Sequence, residues 1–145
     1  MYFVDRQKIE RTLQYIEKNM GIFSNQSSWE TEIEKKALER IAVSCIEGIL
    51  DTGNAMIDGF IMRDPGSYED IIDILEDEKV VVTQEANNLK EIIRLRKMLV
   101  QDYLEINDTT VLSTLTTYKD TILSFCHSTR TYLVKELGPV TAFKN

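Results

Sequence analysis

The apolar positions of this chain recur every three or four residues over most of its length, which is the spacing of one face of an α-helix. The first segment with this spacing contains Ile9, Leu13, Ile16 and Met20. Gly21 follows directly and is predicted to end the helix, since glycine is common just after a helix C-terminus. The one β-like run, residues 80–82, has no second run to pair with, so we expect a linker that packs on the core.

A second, very long helix is predicted from about residue 29 to residue 62. Ser27 and Glu30 have the spacing of a capping box at its start, and the Arg-Asp-Pro-Gly turn at residues 63–66 ends it. We expect this helix to dominate the fold.

Three more helices are predicted after that turn. Ser67 opens a short one, and Thr83 is predicted to cap a fourth that continues to Tyr103. Asp108 starts a fifth, whose apolar positions alternate at four and three residues until the Gly-Pro pair at 138–139. The sequence therefore predicts an all-α, single-domain helical bundle of about five helices with a long second helix.

Length and composition agree with one domain over residues 1–145, because 43% of the 145 residues are apolar and can form one sizeable core. The 17 Lys and Arg residues against 24 Asp and Glu residues give a net charge of −7, so any contact with nucleic acid must be local. No signal peptide or membrane-length apolar stretch is recognisable, and we expect a cytoplasmic protein. Cys45 and Cys126 occupy apolar helical positions and are expected to be buried free thiols.

Polar side chains follow one stripe of the second predicted helix, and small side chains follow the stripe beside it. The polar stripe contains Glu47, Asp51, Asn54 and Asp58, and the small one contains Gly48, Thr52, Ala55 and Gly59. A helix that is apolar on most sides is usually buried, so the polar stripe must face either solvent or a polar cleft. The small stripe allows the close approach of another helix, within the chain or across a dimer seam.

Arg96 lies at an apolar position of the fourth predicted helix, and Tyr103, seven residues later, projects from nearly the same line. Burying a guanidinium is costly unless a carboxylate pairs with it, and the polar stripe offers Glu47 and Asp51. Gln101 is rotated about 140° from Arg96 on a straight helix, so the two converge only if the helix is distorted or a second subunit contributes. A purely structural ion pair is the alternative.

Several classes of site are absent from the sequence. There is no glycine-rich phosphate loop, no Cys/His metal spacing, no nucleophile elbow and no basic stripe with interleaved aromatic residues. Glu47 and Asp51 alone would make a weak oxygen site for a metal ion. We therefore expect neither a metal nor an organic cofactor.

Three blocks of the chain, in order, resemble the HepT-like HEPN family: AVSCIEGILDTGNAMI at residues 42–57, SYEDIIDILEDEKVV at residues 67–81 and LRKMLVQDY at residues 95–103. The first is similar to the family's Glu-x-x-x-Asp-x-x-Asn helix, and the last to its motif of Arg-Asn, three residues and His-x-Tyr. The likeness spans roughly residues 3 to 135, and the whole chain is similar to the YutE-type branch of the family.

The resemblance implies an all-helical homodimer and a metal-independent endoribonuclease toxin whose composite site lies between the subunits. It places Arg96, Gln101 and Tyr103 at the catalytic positions, with Glu47, Asp51, Asn54 and Lys97 lining the cleft. It implies RNA as the substrate and a small nucleotidyltransferase antitoxin as the partner. In the characterised pairs that partner silences the toxin by attaching AMP to the motif tyrosine, which aligns with Tyr103.

The chain departs from the family motif at its histidine, which is replaced by Gln101, and at its asparagine, which is replaced by Lys97. A glutamine amide does not titrate near neutral pH, whereas imidazole does. The one histidine of the chain, His127, is far along the fifth predicted helix. Two hypotheses follow: a degenerate or weakly active dimeric module that binds or regulates through Arg96, which we favour, and an active endoribonuclease.

Overall fold

Five α-helices make up most of residues 2–139, the part of the chain that the computed structural model describes. They are α1 (Arg6–Asn25), α2 (Glu32–Gly59), α3 (Tyr68–Asp77), α4 (Thr83–Ile93) and α5 (Asp108–Leu137). Helices α1, α2 and α5 pack against one another, while α3 packs on α2 and α4, and α4 packs on α5. The prediction of an all-α fold with a long second helix is confirmed. The side chains of Val80 and Val81 are buried in the linker before α4, as predicted.

Helix α1 continues past Gly21 to Asn25, so the predicted stop at this glycine is wrong. Phe23 is buried, and its ring stacks on Trp29 with the ring centroids 5.7 Å apart. This contact extends the buried face of α1 by one turn beyond the glycine, because burial of an aromatic ring outweighs the weak local preference of glycine for a helix end.

The capping box of α2 is formed by Thr31 and Glu34, and not by Ser27 and Glu30 as predicted. The backbone N–H of Glu34 donates to the Thr31 hydroxyl at 3.2 Å, and the N–H of Thr31 donates to the Glu34 carboxylate at 3.0 Å. Both pairs of residues fit the same sequence pattern. The helix starts at the later pair because Trp29, just before it, must reach Phe23 on α1.

The glycines of α2 allow close contacts within the chain. A Cβ atom on Gly48 would lie 2.7 Å from Ile16 of α1, and one on Gly53 would lie 2.5 Å from Ile71 of α3. These contacts explain the helix-interior glycines without a dimer seam. Of the predicted polar stripe, Asp51, Asn54 and Asp58 are exposed and Glu47 is half-buried.

Helix α3 is capped by Ser67, whose hydroxyl accepts the backbone N–H of Asp70, as predicted. Helix α4 begins at Thr83, but the hydroxyl of Thr83 donates to Glu76 at 2.7 Å and does not cap the helix. Helix α4 also ends at Ile93, well before the predicted end at Tyr103.

A π-helical turn, Lys97–Gln101, and a 3₁₀ turn, Tyr103–Glu105, follow α4 and replace its predicted last part. In the π turn the backbone N–H of Asp102 donates to the carbonyl of Lys97 at 3.0 Å, a five-residue hydrogen bond. Helix α5 then begins with Asn107 as its cap and ends at Leu137, before Gly138, close to the predicted bounds.

Polar contacts fix α4 and α5 in antiparallel register. Asn88 donates to the Thr121 hydroxyl at 3.1 Å, and the carboxylate of Glu85 accepts from Ser124 at 2.6 Å and from Ser128 at 3.0 Å. This register puts His127, which is exposed, near the start of α4 and far from Arg96.

Cys45 and Cys126 are buried free thiols, as predicted. Burial raises the pKa of each thiol to about 12. Both side chains act as part of the core. Within residues 2–139, none of the helices has the length and apolarity needed to cross a membrane.

Candidate functional site

Arg96 is held by a carboxylate from another helix, as its position on an apolar face predicts. Its Nε atom donates to Oε1 of Glu47 on α2 at 2.6 Å, and this hydrogen bond raises the pKa of the guanidinium, against the opposing effect of burial. The Arg96 side chain is 18% exposed. Arg96 therefore stays charged and is fixed in direction. Asp51, the other predicted partner, is exposed.

A second contact holds Arg96 from the side of α3. The guanidinium carbon lies 4.4 Å from the centre of the Tyr68 ring, a cation–π contact. The carboxylate of Glu47 and the ring of Tyr68 thus limit the guanidinium from two directions. Such a double restraint keeps the group in one orientation before any ligand arrives.

The π turn brings Gln101 to the same open cleft as Arg96. This Arg96 cleft has a volume of about 650 Å³ and is lined by Ser67, Tyr68, Glu69, Asp73, Ile93, Arg94, Arg96, Lys97 and Gln101. On a straight helix Gln101 would point about 140° away from Arg96. Of the two conditions for convergence, distortion of the helix is the one observed.

The two other cations of the Arg96 cleft are committed to nearby carboxylates. Arg94 donates from Nε and one terminal nitrogen to Glu69, at 3.1 and 3.0 Å. Lys97 is 73% exposed at its side chain and donates to Asp102 at 2.8 Å. Arg96 differs because its one hydrogen bond to a carboxylate uses Nε, and its two terminal nitrogens donate no side-chain hydrogen bond within residues 2–139.

Tyr103 does not line the Arg96 cleft. It lies in the 3₁₀ turn, 64% exposed, beside Leu104, which is 89% exposed. Tyr103 and Gln101 line a neighbouring hollow together with Met98, Asp102, Leu104 and Glu105. Gln101 therefore stands between the two cavities. The prediction that Tyr103 shares the line of Arg96 is wrong, since the π turn Lys97–Gln101 lies between them and Tyr103 is in a 3₁₀ turn.

Glu47 and Asp51 also line an open groove between α1 and α2, which we call the α1–α2 groove. Its volume is about 630 Å³, and its other lining residues are Asp5, Gln7, Lys8, Arg11, Thr12, Tyr15, Arg40, Val43, Ser44 and Gly48. Asn54 is exposed on α2 and lines neither this groove nor the Arg96 cleft. Of the four residues predicted to line one cleft, Glu47 and Asp51 line the α1–α2 groove, Lys97 lines the Arg96 cleft and Asn54 lines neither.

The chemistry available at the Arg96 cleft is recognition of an anion. A fixed guanidinium with free terminal nitrogens suits a phosphate or a carboxylate. Gln101 can donate and accept hydrogen bonds, but its amide cannot act as a general acid or a general base near neutral pH. Among residues 2–139, no group of three His, Cys, Asp or Glu side chains is placed to hold a metal ion.

Sequence reasoning missed Tyr68 and Arg94. Tyr68 is the first residue of α3, directly after its Ser67 cap, and is half-exposed. Its contact with Arg96 depends on how α3 packs beside α4, which no local pattern reports. Arg94 could have been noticed as a second arginine two positions before Arg96, although its pairing with Glu69 is also long-range.

Comparison with known proteins finds one matching family. The family model described as Ribonuclease HepT-like matches residues 6–128. YutE of Bacillus subtilis (strain 168), named as a candidate RNase, is 52% identical over 144 residues, covering 99% of this chain and all of YutE. The solved structure of YutE, described as a cytosolic protein of unknown function, superposes with a TM-score of 0.95 and covers 99% of this chain and 100% of that one.

Two more distant structures share the fold. A chain of a mutant MntA–HpeT toxin–antitoxin complex has a TM-score of 0.76 at 16% identity, covering 85% of this chain and 98% of that one. A chain from the tri-AMPylated Shewanella oneidensis HEPN toxin in complex with its MNT antitoxin has a TM-score of 0.68 at 19% identity, covering 85% and 91%. At such identities the likeness is one of fold.

Proposed function

Because the chain belongs to the HepT-like ribonuclease family, we propose that it is an RNA-binding member of that family that cleaves RNA weakly or not at all. It works as a homodimeric binding or regulatory module in the cytosol, with residues 1–145 forming one HEPN domain. The observation that carries the proposal is Arg96, oriented by Glu47 and Tyr68, beside a glutamine at the family's histidine position.

Recognition of a phosphate follows from the donors that Arg96 keeps. A guanidinium has five N–H donors in a planar fork, and Glu47 takes the one on Nε. The two terminal nitrogens would donate to two oxygens of a phosphate as a bidentate pair. Because Glu47 and Tyr68 already restrict the side chain, little conformational entropy is lost on binding.

Weak or absent cleavage follows from the groups around that phosphate. Breaking an RNA backbone requires removal of a proton from the 2′-hydroxyl and delivery of one to the departing 5′-oxygen. Gln101 supplies neither function, because its amide has no proton that titrates near neutral pH. His127, on α5 near the start of α4, is too far from Arg96 to replace the missing imidazole.

The surface after the π turn is the proposed contact with a protein partner. Tyr103 and Leu104 are exposed next to the Arg96 cleft and suit contact with a second copy of the chain. Asp51 and Asn54 are exposed on α2 and complete the shared cleft in the dimer. A small nucleotidyltransferase is the second proposed partner.

A second candidate function is that of an active endoribonuclease toxin that is silenced by AMP addition at Tyr103. The exposure of Tyr103, 64%, favours it, because its phenol can be reached by a second enzyme. The phenol oxygen would attack the α-phosphate of ATP, its proton would be lost to a base of the transferase, and pyrophosphate would leave. Incubation with a cognate nucleotidyltransferase and ATP would add the mass of one or more AMP groups, and Tyr103→Phe would prevent the addition at this residue.

Binding of single-stranded RNA, followed by fluorescence anisotropy, tests the main proposal. Arg96→Ala is expected to weaken binding about tenfold or more, since a hydrogen bond to a charged group contributes roughly 1.5–3 kcal/mol. The matched control is Arg63→Ala, which removes the same charge from a half-exposed pair with Asp70. Equal losses in the two variants, or no binding by the wild type, would contradict the proposal.

A further inference from the structure

The α1–α2 groove carries basic residues, most of which recur at three and four residues along α1. Lys8, Arg11 and Tyr15 share one exposed face of α1, with Lys18 one turn beyond them, and Arg40 faces them from α2. At a rise of about 1.5 Å per residue, the cations of α1 extend over roughly 15 Å. The expected absence of a basic stripe with an interleaved aromatic residue overlooked this face of α1, and Arg40 of α2 adds a further cation beside it.

Within residues 2–139 these cations form no ion pair with a carboxylate, unlike most of the arginines. Arg63, Arg94, Arg96 and Arg130 each pair with a carboxylate. Within residues 2–139, by contrast, no carboxylate lies within ion-pair distance of the groove residues Lys8, Arg11 and Arg40, or of Lys18 one turn beyond the groove. Because the chain has a net charge of −7, a cluster of cations without carboxylate partners indicates a role other than stabilising the fold through ion pairs.

Tyr15 lies among these cations, and 47% of the residue is exposed. Its hydroxyl lies 3.5 Å from the hydroxyl of Ser44, which is buried on α2, so the ring is tethered at its outer end. That hydrogen bond, with Arg40 and Lys18 close by, lowers the pKa of the Tyr15 phenol. A tethered, half-exposed aromatic ring between cations is the arrangement on which single-stranded nucleic acids stack a base.

The groove also contains three carboxylates, one of which, Glu47, has a cationic partner. Glu47 is paired with Arg96, and Asp5 accepts the backbone N–H of Lys8 at the positive end of α1. Asp5 and Asp51 thus oppose the cations of the groove. Glu47 further joins the two surfaces, because it lines the α1–α2 groove and holds Arg96 at 2.6 Å.

We propose that the α1–α2 groove is the track that carries single-stranded RNA towards Arg96, with Lys8, Arg11, Lys18 and Arg40 contacting phosphates and Tyr15 stacking on a base. This inference rests on the proposed function, because it assumes that RNA is the ligand of the Arg96 cleft. It adds a location for the strand, and it explains how an acidic protein can bind RNA through a local patch.

The salt dependence of RNA binding tests this track. A short fluorescein-labelled single-stranded RNA is titrated with the wild type and with a groove variant carrying Lys8→Gln, Arg11→Gln and Arg40→Gln. Each lost phosphate contact reduces the slope of log affinity against log salt by about 0.7 for a single strand, so the triple change should reduce it by about 2 and weaken binding at least tenfold at low salt.

Two further variants separate the groove from charge in general. Lys79→Gln, Lys119→Gln and Lys135→Gln together remove the same charge from residues outside the groove and should leave both affinity and slope near the wild-type values. Lys8→Arg, Arg11→Lys and Arg40→Lys keep the groove cations and should keep binding. Equal loss in the groove variant and the outside control would overturn the track.

Two competitors check the class of ligand. A duplex RNA of the same sequence should bind more weakly than the single strand and should lose nothing further on Tyr15→Leu, whereas the single strand should lose severalfold. Polyglutamate should compete poorly. Equal binding of the duplex, or competition by polyglutamate at equal charge, would show that the groove takes a different kind of partner.

The result for Arg96→Ala keeps this inference separate from the proposed function. If Arg96→Ala binds RNA like the wild type while the groove variant loses the slope, the groove binds RNA and Arg96 does not. If Arg96→Ala weakens binding and the groove variant does not, the track is refuted and the proposed function stands. A wild type that binds no RNA at low salt refutes both.

Discussion

The Nε atom of Arg96 and the Oε1 atom of Glu47 lie 2.6 Å apart although 49 positions separate the two residues in the chain. The pair joins the segment after α4 to the middle of α2, and it fixes the direction of an arginine whose terminal nitrogens form no hydrogen bond to a carboxylate of residues 2–139. The proposed recognition of RNA depends on this pair, because a freely rotating guanidinium would have to be ordered at each binding event.

Glu47→Gln is expected to destabilise the protein by about 0.5–1 kcal/mol, a modest value because the Glu47 side chain is 40% exposed and solvent screens the pair. Urea unfolding would show this as a lower midpoint with an unchanged slope. Asp51→Asn is the control on the same face of α2, since Asp51 is exposed and forms no ion pair within residues 2–139. Equal shifts for the two variants would show that the Arg96 contact adds no stability.

Gln101→His is expected to produce or raise RNA cleavage. The π turn directs position 101 into the cleft of Arg96, so an imidazole there would stand beside the bound phosphate with a reference pKa near 6.5. Cleavage of labelled single-stranded RNA, measured in EDTA across pH 5 to 9, should then depend on pH around that value.

The control for this gain is the double variant Gln101→His, Arg96→Ala, which should return to the background. If Gln101→His folds and keeps its oligomeric state but cleaves no faster than the wild type, loss of the histidine is not what limits the site. The assignment of position 101 as the missing catalytic group would then be wrong.

Two glycines of the helices should respond to alanine in opposite directions. Gly21→Ala is expected to stabilise the protein by about 0.5–1 kcal/mol, because a Cβ there meets nothing within 4 Å and the residue is inside α1. Gly53→Ala is expected to destabilise it by roughly 1–3 kcal/mol, since its Cβ would lie 2.5 Å from Ile71. Thermal unfolding of both variants measures the difference, and a destabilising Gly21→Ala would show that α1 ends at this glycine.

Glu39→Gln is expected to stabilise the protein at neutral pH. Burial and the neighbouring Asp108 raise the pKa of Glu39 above 4.5, so the folded state binds more protons than the unfolded state and stability falls as pH rises through that raised pKa. The gain from the neutral glutamine should therefore be present at pH 7 and shrink below pH 4.5. Urea unfolding of the wild type and Glu39→Gln at the two pH values measures this gain, and an equal gain at both would contradict the expectation.

The ion pair at Arg96 could be predicted from the sequence because a guanidinium on an apolar helix face demands a carboxylate, and α2 offered few. The cap of α3 at Ser67 was also readable, since the cap and its partner are three residues apart. The first prediction rests on the high cost of burying an unpaired charge, and the second rests on a local capping pattern.

The errors arose where tertiary contacts decide between local alternatives. The stacking of Phe23 on Trp29 carries α1 past Gly21 and delays the start of α2 to Thr31. In the π turn at Lys97–Gln101 the backbone hydrogen bond spans five residues instead of four, and no residue pattern specifies this change. The contact of Tyr68 with Arg96 and the two-helix basic groove depend on how neighbouring helices pack.

The rate of RNA cleavage by the wild type and by Arg96→Ala tests the central claim most directly. Both purified proteins are incubated with labelled single-stranded RNA in EDTA at concentrations where the wild type is saturated, and products are followed with time. We predict equal, background rates for the two proteins, although only the wild type binds the RNA tightly. Faster cleavage by the wild type that is lost in Arg96→Ala would contradict the account and establish an active nuclease.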